Sequence, residues 1–303
     1  MTDQHDDQGL MLALERLTKI SIAKAQSPYD RFDWPTELSE DAWWMSDNLL
    51  SVHATKLADG LDESQRKRLG KWESIHFYSL NIHGIRELLS AVVHRIHTPG
   101  FEPSSEFFHR FIAEENEHMW FFAQFCQRYG SKVYPDRSMK LGPASDDSEI
   151  ESFIIFARIL IFEELVDHFN VRMGSDSALP PIVQQLNRVH HEDEARHIAA
   201  GRQIVKHLYA RLAKRLDAAA RNQLDLYLRR YIEACLESLY NPTVYRDAGI
   251  ADPYKFRTEL LEDPARRACH QKFLGRTVQF LSNNDIISDP RFLDEHAAAA
   301  AAA

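Results

Sequence analysis

His190, Glu194 and His197 are spaced four and then three residues apart in the run His190-His191-Glu192-Asp193-Glu194-Ala195-Arg196-His197. On a helix that turns about 100° per residue, these three side chains project within an arc of roughly 60°. Two imidazoles and a carboxylate on one stripe form a metal-ligand set suited to iron, manganese or zinc. The spacing is not that of a zincin, because His191-Glu192 lacks the second His of H-E-x-x-H. Taken alone, the run could be a solvated polar face. A second half changes that reading. Glu115-Asn116-Glu117-His118 is a Glu-x-x-His pair, and Glu194-Ala195-Arg196-His197 repeats it. Two such helices, each joined by a helix carrying one more Glu, match the pattern of a di-iron carboxylate four-helix bundle.

Two further acids are therefore sought. Glu87 sits in an apolar run between Ile85-Arg86 and Leu88-Leu89. An acid there is costly to bury without a partner, and Arg86 or Arg158 would be the alternative to a metal. Glu163 lies in the most apolar stretch of the chain and shares a helical face with Phe156, Leu160, Asp167 and Asn170. It is preferred to its neighbour Glu164 on that ground. The expected metal ligands are Glu87, Glu115, His118, Glu163, His190, Glu194 and His197. Four carboxylates and three imidazoles can hold two first-row ions and leave positions open for O2 or water. Asp193, Asp167, His83 and His94 are candidate outer partners, since a metal-bound His usually donates its other N–H. Glu114 and Glu117 are offset from the apolar face and read as solvated.

These residues require long helices to position them, and the apolar spacing supplies them. Met1 to Gln8 reads as disordered and Gly9 to Gln26 as an amphipathic helix. Ser39 opens a second helix that Asp59-Gly60-Leu61 ends, anchored by Trp43, Trp44, Leu49 and Leu50. Asp62 caps a long helix that stops at Thr98-Pro99-Gly100. Ser104 or Ser105 caps the next, Glu106 to Tyr129, closed by Gly130. Ser131 to Asp147 reads as the long crossover that a ferritin-like bundle needs between its second and third core helices. Glu149 to Met173 is apolar nearly all round and is therefore central. Pro180-Pro181 opens a helix that runs to about Lys214, and Asp217 to Tyr240 is another. Asn241-Pro242 begins a loop that extends to Pro264, and a last helix spans Ala265 to Leu281. The expected fold is all-α, a ferritin-like four-helix bundle with additional N- and C-terminal helices. It forms one domain over residues 1–290, with its core at about 62–214. Residues 291–303 are an added tail whose alanine run takes no part in the fold.

The formal net charge of −9 disfavours a nucleic-acid partner, and no basic cluster offsets it. The apolar run Phe153 to Phe162 is interrupted by Arg158 and is too short to span a bilayer, so no membrane association is expected. The acidic, polar N-terminus does not read as a signal peptide. Cys126, Cys235 and Cys269 are far apart and fit small core residues in a reducing compartment, which makes the cytoplasm the default location.

The extra imidazole four residues before the second Glu, His190-x3-Glu194-x2-His197, resembles the arylamine N-oxygenase family, typified by conversion of p-aminobenzoate to p-nitrobenzoate. Asn241-Pro242-Thr243-Val244-Tyr245-Arg246-Asp247-Ala248-Gly249-Ile250 resembles that family's segment after the bundle. The likeness covers roughly Trp72 to Phe280, and the metal motif is its more specific part. It implies a non-haem di-iron monooxygenase with the same seven ligands and two iron ions, manganese being chemically admissible. It also implies O2 as co-substrate, a small amine as substrate, an external electron donor and a homodimer. A di-iron C–H hydroxylase or desaturase is the alternative on the same bundle, and a ferritin-like metal store is a non-enzymatic one.

Overall fold

The computed structural model describes residues 2–136 and 147–293, and among them all regular structure is helical. Four long helices form the core: α2 (Glu63–Val93), α3 (Ser105–Phe125), α4 (Ser148–Ser175) and α5 (Pro181–Leu212). A first helix, α1 (Thr2–Lys24), packs on α3 and α5. Four helices follow the core: α6 (Ala218–Ser238), α7 (Pro242–Asp247), α8 (Pro253–Glu262) and α9 (Pro264–Asn283). Of these, α6 and α9 lie against α4.

The helix starts follow local chemistry. Asp62 and Gln65 form a reciprocal capping box at α2, satisfying donors that have no partner inside the helix. Asp147 caps α4, Asp217 caps α6 and Asp263 caps α9, each by accepting from backbone N–H groups of the first turn. Pro181 begins α5, where its missing N–H costs nothing.

Contacts along the core fix its topology. Ile75 meets Gly130, Ser79 meets Cys126 and Tyr78 stacks on Phe122, so α3 runs antiparallel to α2. Phe77 stacks on Phe169, while Gly84 faces Phe162 and Arg95 reaches Ser152, so α4 is also antiparallel to α2. Hence α3 and α4 are parallel, and the link between them must travel the length of the bundle. Its first residues do so along α2: the Tyr134 backbone N–H donates to Ser79 Oγ, its carbonyl contacts His83, and Asp136 pairs with Arg86. This is the ferritin-like connection. Residues 137–146 of the expected crossover lie outside the described residues, as do 294–303 of the expected tail.

Three expectations are corrected. The first helix begins at Thr2 rather than Gly9, taking in the stretch expected to be disordered. The segment 39–61 is not a helix but a series of turns with short 3-10 pieces at Asp47–Leu49 and Lys56–Gly60. Trp44 folds back to donate to the Ser39 carbonyl, and Ala54 adopts a positive φ of 63°, so the chain lies flat and buries Trp44, Leu49 and Leu50. The stretch after Asn241 is not a loop: α7 and α8 occupy it, each with proline in its first turn. The second core helix, α3, also widens at its end, with Cys126–Gly130 as a π-helical turn.

Candidate metal centre

Six of the seven expected ligands converge in the bundle interior. Glu115 and His118 come from α3, Glu163 from α4, and His190, Glu194 and His197 from α5, and each is at most 4% exposed. Glu163, not Glu164, faces inward; Glu164 is held instead by Arg202 and Thr277. Candidate ligand atoms of Glu115, His118, Glu194 and His197 all lie within 4.8 Å of one another.

Two carboxylates occupy the space between two imidazoles. Glu115 Oε1 is 3.3 Å from His118 Nδ1 and 2.7 Å from His197 Nδ1. Glu194 Oε1 is 3.7 Å from His118 Nδ1, 3.6 Å from His197 Nδ1 and 2.8 Å from His190 Nε2. Carboxylates placed this way suit bridging between two cations. Glu163 lies to one side, within electrostatic reach of Glu194, His197 and Glu115.

The outward ring nitrogens are held by acids that cross between the two motifs. His197 Nε2 is 2.9 Å from Glu114, which precedes Glu115, and His118 Nε2 is 3.1 Å from Asp193, which precedes Glu194. Arg196 donates to both acids, at 2.8 Å to Glu114 and 2.5 Å to Asp193, and Ser21 of α1 donates to Glu114. Such partners fix each ring's tautomer and orientation, and raise its basicity as a ligand. For His190 the partner is Asn170, 2.7 Å from Nδ1. There the Asn170 Nδ2–H donates to Nδ1, which leaves the ring proton on Nε2, toward Glu194; turning the carboxamide over lets its oxygen accept from Nδ1–H and frees Nε2 for a cation.

The electrostatics reflect a buried set of charges. Burial opposes a charged His118, yet the Glu115 carboxylate and the bond to Asp193 raise it to about 10. Burial likewise opposes a charged His197, which the bond to Glu114 and its contacts with Glu115 and Glu194 hold well above the ordinary imidazole value. Burial raises Glu114, but the bond from His197 outweighs it and leaves that carboxyl at about 2. Glu163 goes the other way: burial and the neighbouring Glu194 charge push it well above the carboxylate range.

The donor set fits a bound metal cation. Glu115 Oε1, His118 Nδ1, both Glu163 oxygens, His190 Nε2, Glu194 Oε2 and His197 Nδ1 are all buried without a hydrogen-bond partner among the described residues. Buried polar atoms are seldom left this way, and so many aimed at one another call for a cation.

Glu87 is the correction. Its side chain is 56% exposed, lies 3.6 Å from Arg158 and is not part of the buried group of candidate ligands. It stands two residues beyond buried Ile85, about 200° round the helix, so the interior stripe of α2 passes it by. Of the expected outer partners, only Asp193 holds a ring of the cluster. Asp167 bonds to His191, His83 contacts the Tyr134 carbonyl, and His94 is exposed. Glu114, expected to be solvated, is buried. The signal was present in the sequence as an acid immediately before each Glu-x-x-His.

A cavity of about 430 Å3 lies between α2, α4 and α6, lined by Leu80, Gly84, Ile159 and Phe162 with Glu87 and Arg158 among its polar groups, and none of the six converging side chains is part of its wall. Phe162 seats against Gly84 and precedes Glu163 in the chain, so the two side chains leave α4 about 100° apart, Phe162 toward the cavity and Glu163 into the interior.

No curated protein is similar enough to match the chain. The family model described as p-aminobenzoate N-oxygenase AurF matches residues 7–285, nearly all of it. With its helical bundle and its buried pair of Glu-x-x-His motifs, the chain belongs to the AurF family of N-oxygenases.

Proposed function

We propose that this protein is a non-haem di-iron N-oxygenase that oxidises an aryl or other primary amine with O2 to a hydroxylamine, nitroso or nitro product. The observation that carries the reading is the third imidazole: His190 Nε2, 2.8 Å from Glu194, joins two Glu-x-x-His pairs in the interior of a bundle of this family. Two iron ions bound there would activate O2 and deliver oxygen to the amine nitrogen, with electrons from an external reductase or ferredoxin. Manganese suits the same donors. Glu115, His118, Glu163, His190, Glu194 and His197 would hold the ions.

The chain's other residues set the conditions. Glu114, Asp193 and Asn170 keep three ring nitrogens turned inward, and Arg196 neutralises the two outer acids. Phe111, Phe121 and Phe122 wall the imidazoles and exclude water. Exclusion matters because the amine must present an unprotonated lone pair. The cavity on the α2–α4 seam is the size of a small-molecule site, and its Ile and Phe walls suit an aromatic ring. Arg158, already paired with Glu87, can hold an acidic substituent. We further read the enzyme as a cytoplasmic homodimer. Among the described residues no helix is long and apolar enough to cross a membrane.

The test is a single turnover of iron-loaded, reduced protein with oxygen-18-labelled O2 and a panel of aryl and alkyl amines, read by mass spectrometry. The reading predicts label on nitrogen. Label on carbon alone, or a new carbon–carbon double bond, would instead establish the C–H hydroxylase or desaturase alternative.

A further inference from the structure

Three core helices bring a carboxylate to the cluster, but α2 brings none. Its acids are accounted for elsewhere. Glu63 pairs with Lys67 at the helix start, Glu73 binds the Ser51 backbone, and Glu87 faces Arg158 at the surface. The polar side chain that α2 does carry inward is Asn81.

Three observations place it. Asn81 is 1% exposed, and its Nδ2 donates to the Phe77 carbonyl at 2.8 Å while Oδ1 has no partner. It shares the interior stripe of α2 with Phe77, Tyr78 and Ile85, one turn from each, and those residues pack on α3 and α4. Its level is also fixed. Tyr78 stacks on Phe122, whose ring abuts His190, and α3 runs antiparallel, so one turn beyond Tyr78 lies one turn before Phe122, at His118.

The two sides of the cluster are then unequal. Glu163 flanks the His197 side, whereas the His118 side has the neutral His190 ring, 4.5 Å from His118, and no carboxylate among the candidate ligands beyond the shared Glu115 and Glu194. We propose that the Asn81 carboxamide oxygen completes the metal site from α2, giving one ion a neutral terminal ligand where the bundle pattern would place a carboxylate. This rests on the di-metal reading of the same cluster. Its consequence is electrostatic. Two divalent ions carry four positive charges, and Glu115, Glu163 and Glu194 supply three negative ones. Ligand charge count tunes cation affinity strongly. The pair is therefore bound unequally, the ion next to Asn81 being the weaker.

Cobalt(II) titration under anaerobic conditions, followed by its visible absorption and by a competing chelator, separates the two ions without turnover. Wild-type protein should take one ion tightly and a second at least about tenfold more weakly. The isosteric Asn81→Asp should tighten the second by about tenfold or more, and Asn81→Leu should weaken it by a similar factor, with the first ion unchanged. Thermal melts of the metal-free proteins establish that each variant is folded. Equal affinities in the wild type, or two variants that both bind the second ion as the wild type does, would overturn the assignment. Failure of the wild type to bind a second ion at any concentration would instead overturn the di-metal reading itself.

Discussion

His118 and His197 each turn Nδ1 inward because an acid from the opposite motif holds Nε2. Replacing Asp193 by Asn keeps the shape but removes the charge that supports His118 and pairs with Arg196. The expected result is a metal affinity lower by about tenfold or more, measured by chelator competition. Glu87→Gln should leave metal affinity unchanged, because that side chain faces Arg158 at the surface. At this scale the sequence was largely legible. A period of 3.6 put Glu115 with His118, and Glu194 with His190 and His197, on common stripes, and apolar neighbours picked Glu163 over Glu164. Glu87 failed because an apolar neighbourhood in sequence does not say which face of a helix is inside. Asn81 escaped notice because a search for acids passes over a carboxamide.

Gly84 shows how closely the elements fit. A Cβ built there would lie 2.5 Å from the Phe162 ring, so only glycine lets α2 and α4 meet at that level. Gly84→Ala should destabilise the fold by about 1–3 kcal/mol, the usual cost of overpacking, read by chemical denaturation. Phe162 would be displaced, so the cavity it lines should change shape with it. The long helices were legible because caps and amphipathic runs agree, as at Asp62 and Asp217. The 39–61 segment was not. Its buried Trp44, Leu49 and Leu50 mimic a helical face, but tertiary packing on α2 and α3 is what gathers them. Conversely, Pro242 and Pro253 read as loop punctuation yet serve as first-turn residues of α7 and α8.

Across the whole molecule, burial outside the metal centre also carries a pH signature. Burial raises Glu73 from its ordinary value to about 7, although its bond from the Ser51 backbone pulls the other way. A carboxyl raised on folding favours the native state below its unfolded value, near pH 4.5, and loses that contribution as pH rises through about 7. Glu73→Gln should therefore melt at a higher temperature relative to the parent at pH 8 than at pH 5, in calorimetry of the metal-free protein. The order of long helices, and a gap long enough to return along the bundle, made the ferritin-like topology readable before any coordinates. What sequence alone could not supply was the crossing of Glu114 to His197 and Asp193 to His118, a property of two helices meeting in space. The account stands on two ions lying side by side among those rings and carboxylates. Mössbauer spectroscopy of protein loaded with iron-57 and oxidised in air tests this most directly. Quadrupole doublets from an antiferromagnetically coupled ferric pair are predicted; the magnetically split spectrum of isolated high-spin ferric ions at every iron loading would contradict it.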